Sequence, residues 1–242
     1  MKKVFLCIPF LFSLLILQGQ KDEANTKFGL KLGPAIGFQK WNYFQRSPLF
    51  KYHAGLWMET SHDDDPSSIY TEIGYHIRGS AIRYTVPFTF QNQTYTFPSD
   101  QFIFRNATIE LGFKKKIPKD KYSAFYAFGL RGEYNLGSNL GVYNRINELL
   151  PIYPFKEGIK KVLLGFSFNG GIDFPFGEYT GGVLEFHISP DLTKQYYSPR
   201  IGNIVDIYNP NLTTSIEERS IKNVSIELSL GLYFIRKVVY TD

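Results

Sequence analysis

The segment Val224-Ser-Ile-Glu-Leu-Ser-Leu-Gly-Leu-Tyr-Phe234 places Val224, Ile226, Leu228, Leu230, Leu232 and Phe234 on one side of an extended chain. Ser225, Glu227, Ser229, Gly231 and Tyr233 fall on the other. Successive side chains of a strand point to opposite faces, so this period of two reads as a strand with one apolar face. The other face decides the class. A soluble sandwich buries its apolar face and turns a charge-rich one to water. Here the polar face carries small residues beside an isolated Glu227, which suits a narrow interior. The apolar face stays free of charge for about ten residues, the length of a strand that crosses a bilayer. The apolar face is therefore expected to look outward, to lipid.

The same pattern recurs along the chain. In 27–39, Phe28, Leu30, Leu32, Ile36 and Phe38 alternate with Lys27, Gly29, Lys31, Gly33, Ala35, Gly37 and Gln39. Further runs of period two lie at 52–60, 69–79, 103–114, 122–133, 162–173, 181–189 and 223–234. Together they predict an all-β fold, an eight-stranded antiparallel up-and-down transmembrane β-barrel. The connections 61–68, 115–121 and 175–179 are short and polar, whereas 84–101, 134–160 and 190–220 are long. That alternation predicts short periplasmic turns and long extracellular loops, with the N-terminus on the periplasmic side. Gln91-Asn92-Gln93, between two Thr- and aromatic-rich runs, predicts a hairpin that projects past the membrane.

Composition agrees with this class. Aromatics make up 17% of the 242 residues, with 22 Phe and 17 Tyr, and aromatic enrichment favours pleated structure. Lys2 and Lys3 followed by the apolar run 4–17 and Gln18-Gly19-Gln20 read as a signal peptide over 1–19. A short linker is expected at 20–26 and the barrel at 27–242. The single cysteine, Cys7, lies in the signal, so the mature barrel is expected to have no disulfide. Of the net charge of +5, two charges belong to Lys2 and Lys3. With no basic block, nucleic acid is not an expected partner.

The opening Phe28-Gly-Leu-Lys-Leu-Gly33 and the closing Val224–Phe234 strand, with the basic start and the Gln-rich end of the signal, resemble the PorT-like outer-membrane β-barrel proteins of Bacteroidetes. The resemblance spans the mature chain and implies residence in the bacterial outer membrane, in contact with its lipid. The pattern departs from that family after the last strand, where 235–242 follow instead of a terminal aromatic. The loops match no secretion-linked subset, so no secretion role carries over.

Twelve polar residues fall on the predicted interior face: His53, Glu59, Glu72, His76, Arg78, Glu110, Arg131, Glu133, Asp173, Glu185, His187 and Glu227. Isolated buried charge is costly, so they are expected to pair across the lumen as a polar plug. A proton or solute path, or a ligand site, is the alternative. His187 and Ser189, with Glu185 on the same face, contain the residue types of a barrel lipid A hydrolase, provided a carboxylate orients the imidazole. His62-Asp-Asp-Asp65 lacks the spacing of a calcium loop. No metal, cofactor or catalytic site is expected. In the loop 134–160, Leu149, Leu150, Ile152, Tyr153 and Phe155 are apolar beyond what an exposed loop needs. They predict either a surface for another outer-membrane protein or a cap on the barrel mouth. The function expected is a non-enzymatic structural or accessory barrel that binds a larger outer-membrane assembly through its extracellular loops. The alternatives are the hydrolase and a narrow pore.

Overall fold

The structure, a computed structural model, describes residues 24–41, 46–62, 65–83, 87–90, 93–95, 99–149, 153–205 and 211–238. The signal peptide expected at 1–19 lies outside them. Eight long strands form the barrel: β1 (Ala24–Trp41), β2 (Ser47–His62), β3 (Ser67–Ile82), β4 (Asp100–Pro118), β5 (Ser123–Ser138), β6 (Val162–Pro175), β7 (Thr180–Pro190) and β8 (Arg219–Val238). Each pairs antiparallel with its sequence neighbour, and β8 returns to pair with β1, closing the ring. The eight expected runs become these eight strands. The strands outrun the periodic segments, 52–60 growing to Ser47–His62 and 103–114 to Asp100–Pro118. Backbone pairing continues past the point where side-chain alternation stops.

Two boundaries differ from expectation. β1 begins at Ala24, so the last residues read as a linker, 24–26, pair with both β2 and β8. At the other end β8 runs to Val238, whose partner is Ala24, so Ile235 to Val238 belong to the sheet instead of following it.

The seam between β1 and β8 keeps one register from Ala24↔Val238 to Trp41↔Ile221, with no pairing at Gly33 and Pro34. Proline has no N–H to donate, which leaves this gap in the ladder. Gly33 is required beside it, because a Cβ there would overlap the Leu228 carbonyl.

The β2–β3, β4–β5 and β6–β7 connections leave from one end of the barrel, where Ala24 and Val238 also lie, and the β3–β4, β5–β6 and β7–β8 connections leave from the other. The turns close by short hydrogen bonds, Phe176 N donating to the Thr180 carbonyl at 2.9 Å and Ser67 N to Asp65 Oδ1 at 2.8 Å. A hairpin forms where the third and fourth strands were expected to extend, but as a separate two-stranded sheet: Phe88–Phe90 pairs with Gln93–Tyr95. A second hairpin joins Ile201–Val205 to Thr213–Ile216. The helices are short, a six-residue α1 (Asn144–Leu149) and two single turns. Among the described residues no helix is long and apolar enough to cross a membrane, which says nothing against crossing with strands.

The outer surface is apolar. Leu56, Phe113, Leu130, Leu230 and Phe234 are 60 to 71% exposed, and each sits on the face assigned to lipid. A soluble protein does not present such a belt to water. On β8 it runs from Phe234 to Val224. Ten residue steps of about 3.3 Å, tilted by about 40°, span roughly 25 Å, the height of the lipid-facing band of such barrels. Arginine at Leu228 or Phe166, within this belt, should cost about 2–4 kcal/mol, and arginine at the exposed strand-end Thr180 about 1 kcal/mol or less. Folding titrations into lipid vesicles measure both; equal, negligible costs would reverse the inside-outside assignment.

Candidate functional site: the charged interior and its cap

The ring turns one residue in two inward, and all twelve sequence-nominated polar residues are buried there. Glycines make room for the longer side chains. A Cβ at Gly55 would run into the Glu72 carboxylate, at Gly129 into Tyr70 and Ser167, and at Gly165 into the Arg131 guanidinium. The small residues of the polar face are thus opposite the large ones.

The contacts form layers. Nearest the turns, Trp57, Phe125, Val183 and Tyr233 pack together. Beside them Lys27 meets Asp173 at 2.7 Å, and Glu59 is held by Lys114 at 2.8 Å and by Lys116. Tyr233 donates its hydroxyl to Asp173. In the next layer Lys31 bridges Glu72 at 2.6 Å and Glu185 at 2.5 Å, while Tyr70 donates to Glu110 at 2.5 Å. At mid-barrel Glu227 is ringed by His76 Nδ1 at 2.9 Å, His187 Nδ1 at 3.4 Å, Arg78 at 3.7 Å and His53 Nδ1 at 4.0 Å. Above it Glu133 takes Arg78 at 2.9 Å and Arg131 at 2.7 Å, and Arg131 continues to Asp191 at 2.5 Å. A polar layer of Gln39, Ser80, Asn223 and Gln195 completes the stack.

The nominated set held seven carboxylates against two arginines and three histidines. That imbalance is where sequence reasoning fell short. Lys27, Lys31, Lys114 and Lys116 supply the missing cations, and Asp191 and Tyr70 extend the network. Lys27 and Lys31 were legible as inward by alternation, and the charge deficit was the signal that they belonged to the network.

The space enclosed among Lys31, Trp57, Glu59, Tyr70, Lys114, Asn169 and Glu185 is about 10 Å³. That holds about one water molecule. Ser189 Oγ lies 2.9 Å from His187 Nε2. The carboxylates beside this imidazole are Glu227, 3.4 Å from Nδ1, and Glu110, 3.6 Å from Nε2, and not Glu185, which is committed to Lys31. Ser189 and His187 are buried inside the lumen, away from the lipid-facing surface. Among the described residues no group of three or more His, Cys, Asp or Glu is placed to hold a metal ion. Asp65 accepts a turn hydrogen bond, and 63–64 lie outside the described residues.

The loop end carries an apolar lid. Phe102, Phe104, Leu140, Tyr143, Tyr196 and Ile221 are buried together, with Trp41 and Tyr153 packed on them. Tyr143 and Tyr153 stack at 4.5 Å between ring centroids, and the Arg46 guanidinium sits 4.0 Å from the centroid of Trp41. Tyr153 donates to Asp100 at 2.8 Å, and Phe155 N donates to the Tyr196 hydroxyl at 3.1 Å. Burial pushes the Tyr196 phenol above its ordinary range, so it stays neutral in the lid. Of the five apolar residues nominated in this loop, Tyr153 is half-buried against the lid, and Phe155, also half-buried, joins it through its backbone N–H. Leu150, Ile152 and the side chain of Leu149 lie outside the described residues.

Fold and interior together define a closed eight-stranded β-barrel with a lipid-type exterior and a filled lumen. No protein-family model matches the chain, and no curated protein matches it in sequence. Among solved structures it is similar to Ail, the attachment invasion locus protein of Yersinia pestis, solved with the heparin analogue sucrose octasulfate (9% identity, 88% of this chain and 100% of that one, TM-score 0.40). It is likewise similar to Neisserial surface protein A (7% identity, 86% and 96%, TM-score 0.40) and to the outer membrane protease OmpT of Escherichia coli (11% identity, 90% and 98%, TM-score 0.33). The ring closure and register define the barrel here independently of these likenesses.

Removing Arg131 leaves Glu133 and Asp191 facing each other without their shared cation. Arg131→Ala should destabilise the barrel by about 3–5 kcal/mol, whereas Arg200→Ala, which breaks only the exposed contacts with Glu217 and Ser215, should cost about 1 kcal/mol or less. Urea unfolding from vesicles distinguishes the two.

Proposed function

We propose that the chain is exported by the signal at 1–19 and inserts in the bacterial outer membrane as a non-enzymatic structural or accessory barrel. On this reading its extracellular loops bind another outer-membrane protein. The carrying observation is the interior. Interlocked ion pairs fill it from Lys27–Asp173 to Arg131–Asp191, and an aromatic lid covers its loop end. A lumen so filled favours a plug over a pore. Burial of Ser189 likewise disfavours the hydrolase, since an acyl ester in the membrane has no route to its hydroxyl. With both internal roles set aside, the loops are where function resides. The opening and closing strands that resemble PorT-like barrels of Bacteroidetes support the same reading.

Within the loop 139–161 the lid takes Tyr153 and Phe155, and the outward face keeps Val142 and Ile146, 74% and 45% exposed. These two form the described part of the proposed contact surface. The double variant Val142→Ser/Ile146→Ser should keep heat-modifiable gel migration, which reports a folded barrel, and lose the co-purifying membrane partner. A folded variant that keeps every wild-type partner overturns the accessory reading. In planar bilayers the wild-type protein should give no single-channel steps; regular steps would make it a pore.

A further inference from the structure

We infer that an open basic groove on the outer wall of the barrel, where the belt ends on the loop side, binds the phosphorylated headgroup of a membrane lipid. The groove, about 690 Å³, is lined by Lys160, Val162, Leu192, Lys194, Tyr197 and Lys222, together with Thr193 and Glu218. The inference rests on the membrane-spanning reading of the barrel.

Position is the first reason. Lys222 lies two residues beyond the lipid-facing Val224 on the same face of β8, and Lys160 lies two residues before the exposed Val162 of β6. The lysines therefore stand at the height where apolar side chains give way to charge. Val162 and Leu192 form a lower lip continuous with the belt. A phosphate held by the lysines would leave its acyl chains on that lip, which selects a lipid over a free anion.

Charge is the second reason. Lys160 and Lys194 both approach the Tyr197 ring, their ammonium groups 5.7 and 4.6 Å from its centroid. Two cations gathered on one ring face a common space. Lys222 stands opposite Lys40 across the β1–β8 seam, and like charges directly opposite in a sheet are destabilising. Glu218, 3.2 Å from Lys194, is the carboxylate in the groove, and both side chains of that pair are about two-fifths exposed. Among the described residues no ion pair engages Lys40, Lys160 or Lys222. A phosphate, with more than one charge and several acceptor oxygens, would relieve this crowding.

The test uses the folded barrel in dodecyl maltoside micelles, titrated with short-chain phosphatidic acid, with phosphatidylcholine of the same chain length and with inorganic phosphate. Phosphatidic acid should bind at least about tenfold tighter than phosphatidylcholine, since each lysine at a membrane surface favours an anionic headgroup. Lys160→Gln/Lys194→Gln/Lys222→Gln should abolish that preference, and Lys115→Gln/Lys119→Gln/Lys121→Gln at the turn end should keep it. The replaced lysines are exposed or half-exposed, so heat-modifiable migration should persist in both variants. Equal binding of the two lipids, an unaffected groove variant, or inorganic phosphate competing as well as the lipid would overturn the proposal. Failure of the wild-type barrel to insert in vesicles at all would overturn the membrane reading instead, and the two results are separately visible.

Discussion

Everything in this barrel depends on the seam between β1 and β8. Within lipid a strand edge has no water to satisfy its N–H and C=O groups, so a sheet there must close on itself. The chain achieves this by bringing its first strand back to its last, with Ala24 against Val238 and Trp41 against Ile221. Closure also forces the division of faces. Once the ring is shut, one set of alternate residues can only point to lipid and the other only into a lumen too narrow for solvent. The gap at Gly33 and Pro34 shows how much slack the seam tolerates: pairing lapses over two residues while the register on either side is unbroken.

A narrow lumen poses an electrostatic problem that the sequence answers by pairing. Charge taken out of water is costly unless each ion has a partner and further hydrogen bonds. Here the carboxylates are shared. Glu133 serves two arginines, Glu59 two lysines, and Lys31 two glutamates. The ion pairs link each strand of the ring to one that is not its sequence neighbour, so the polar interior holds the barrel's cross-section as an apolar core would in a soluble protein. Glycine at positions such as Gly55, Gly129 and Gly165 is the geometric counterpart, because the guanidinium or carboxylate that crosses the lumen needs an empty position to end in.

The ring and its facing were legible because both are written in a period of two, which survives without any tertiary information. Phe128, Leu130, Leu228 and Leu230 could be assigned outward, and Arg131 and Glu227 inward, from alternation alone. Pairings were not legible, because register and strand tilt decide which inward residues share a height. Hence Glu185 was matched with its sequence neighbours His187 and Ser189, although its partner is Lys31 on another strand and the histidine's carboxylates are Glu227 and Glu110. Phe125 and Tyr233 lie inward among the charges, where a rule that sends apolar residues to lipid overlooks Phe125. The lid was half legible. The apolar excess around Tyr153 was visible in sequence, but the ring that covers it, Tyr143, comes from a different part of the same loop.

The lid and the ion-pair stack solve different parts of one constraint. A charged lumen open at the loop end would let water in, and water competes for each buried pair by raising the local dielectric. Phe102, Phe104, Leu140 and Ile221 remove that access at the mouth, and Trp57, Phe125, Val183 and Tyr233 pack at the turn end. The interior is therefore a polar layer between two apolar ones, inverted relative to the surrounding bilayer. Chemistry sealed between those layers is out of reach of the membrane and of solvent alike. On the outer wall and the loops, Lys160, Lys194 and Lys222 stand exposed or half-exposed, as does the described part of helix α1 except the buried Asn147.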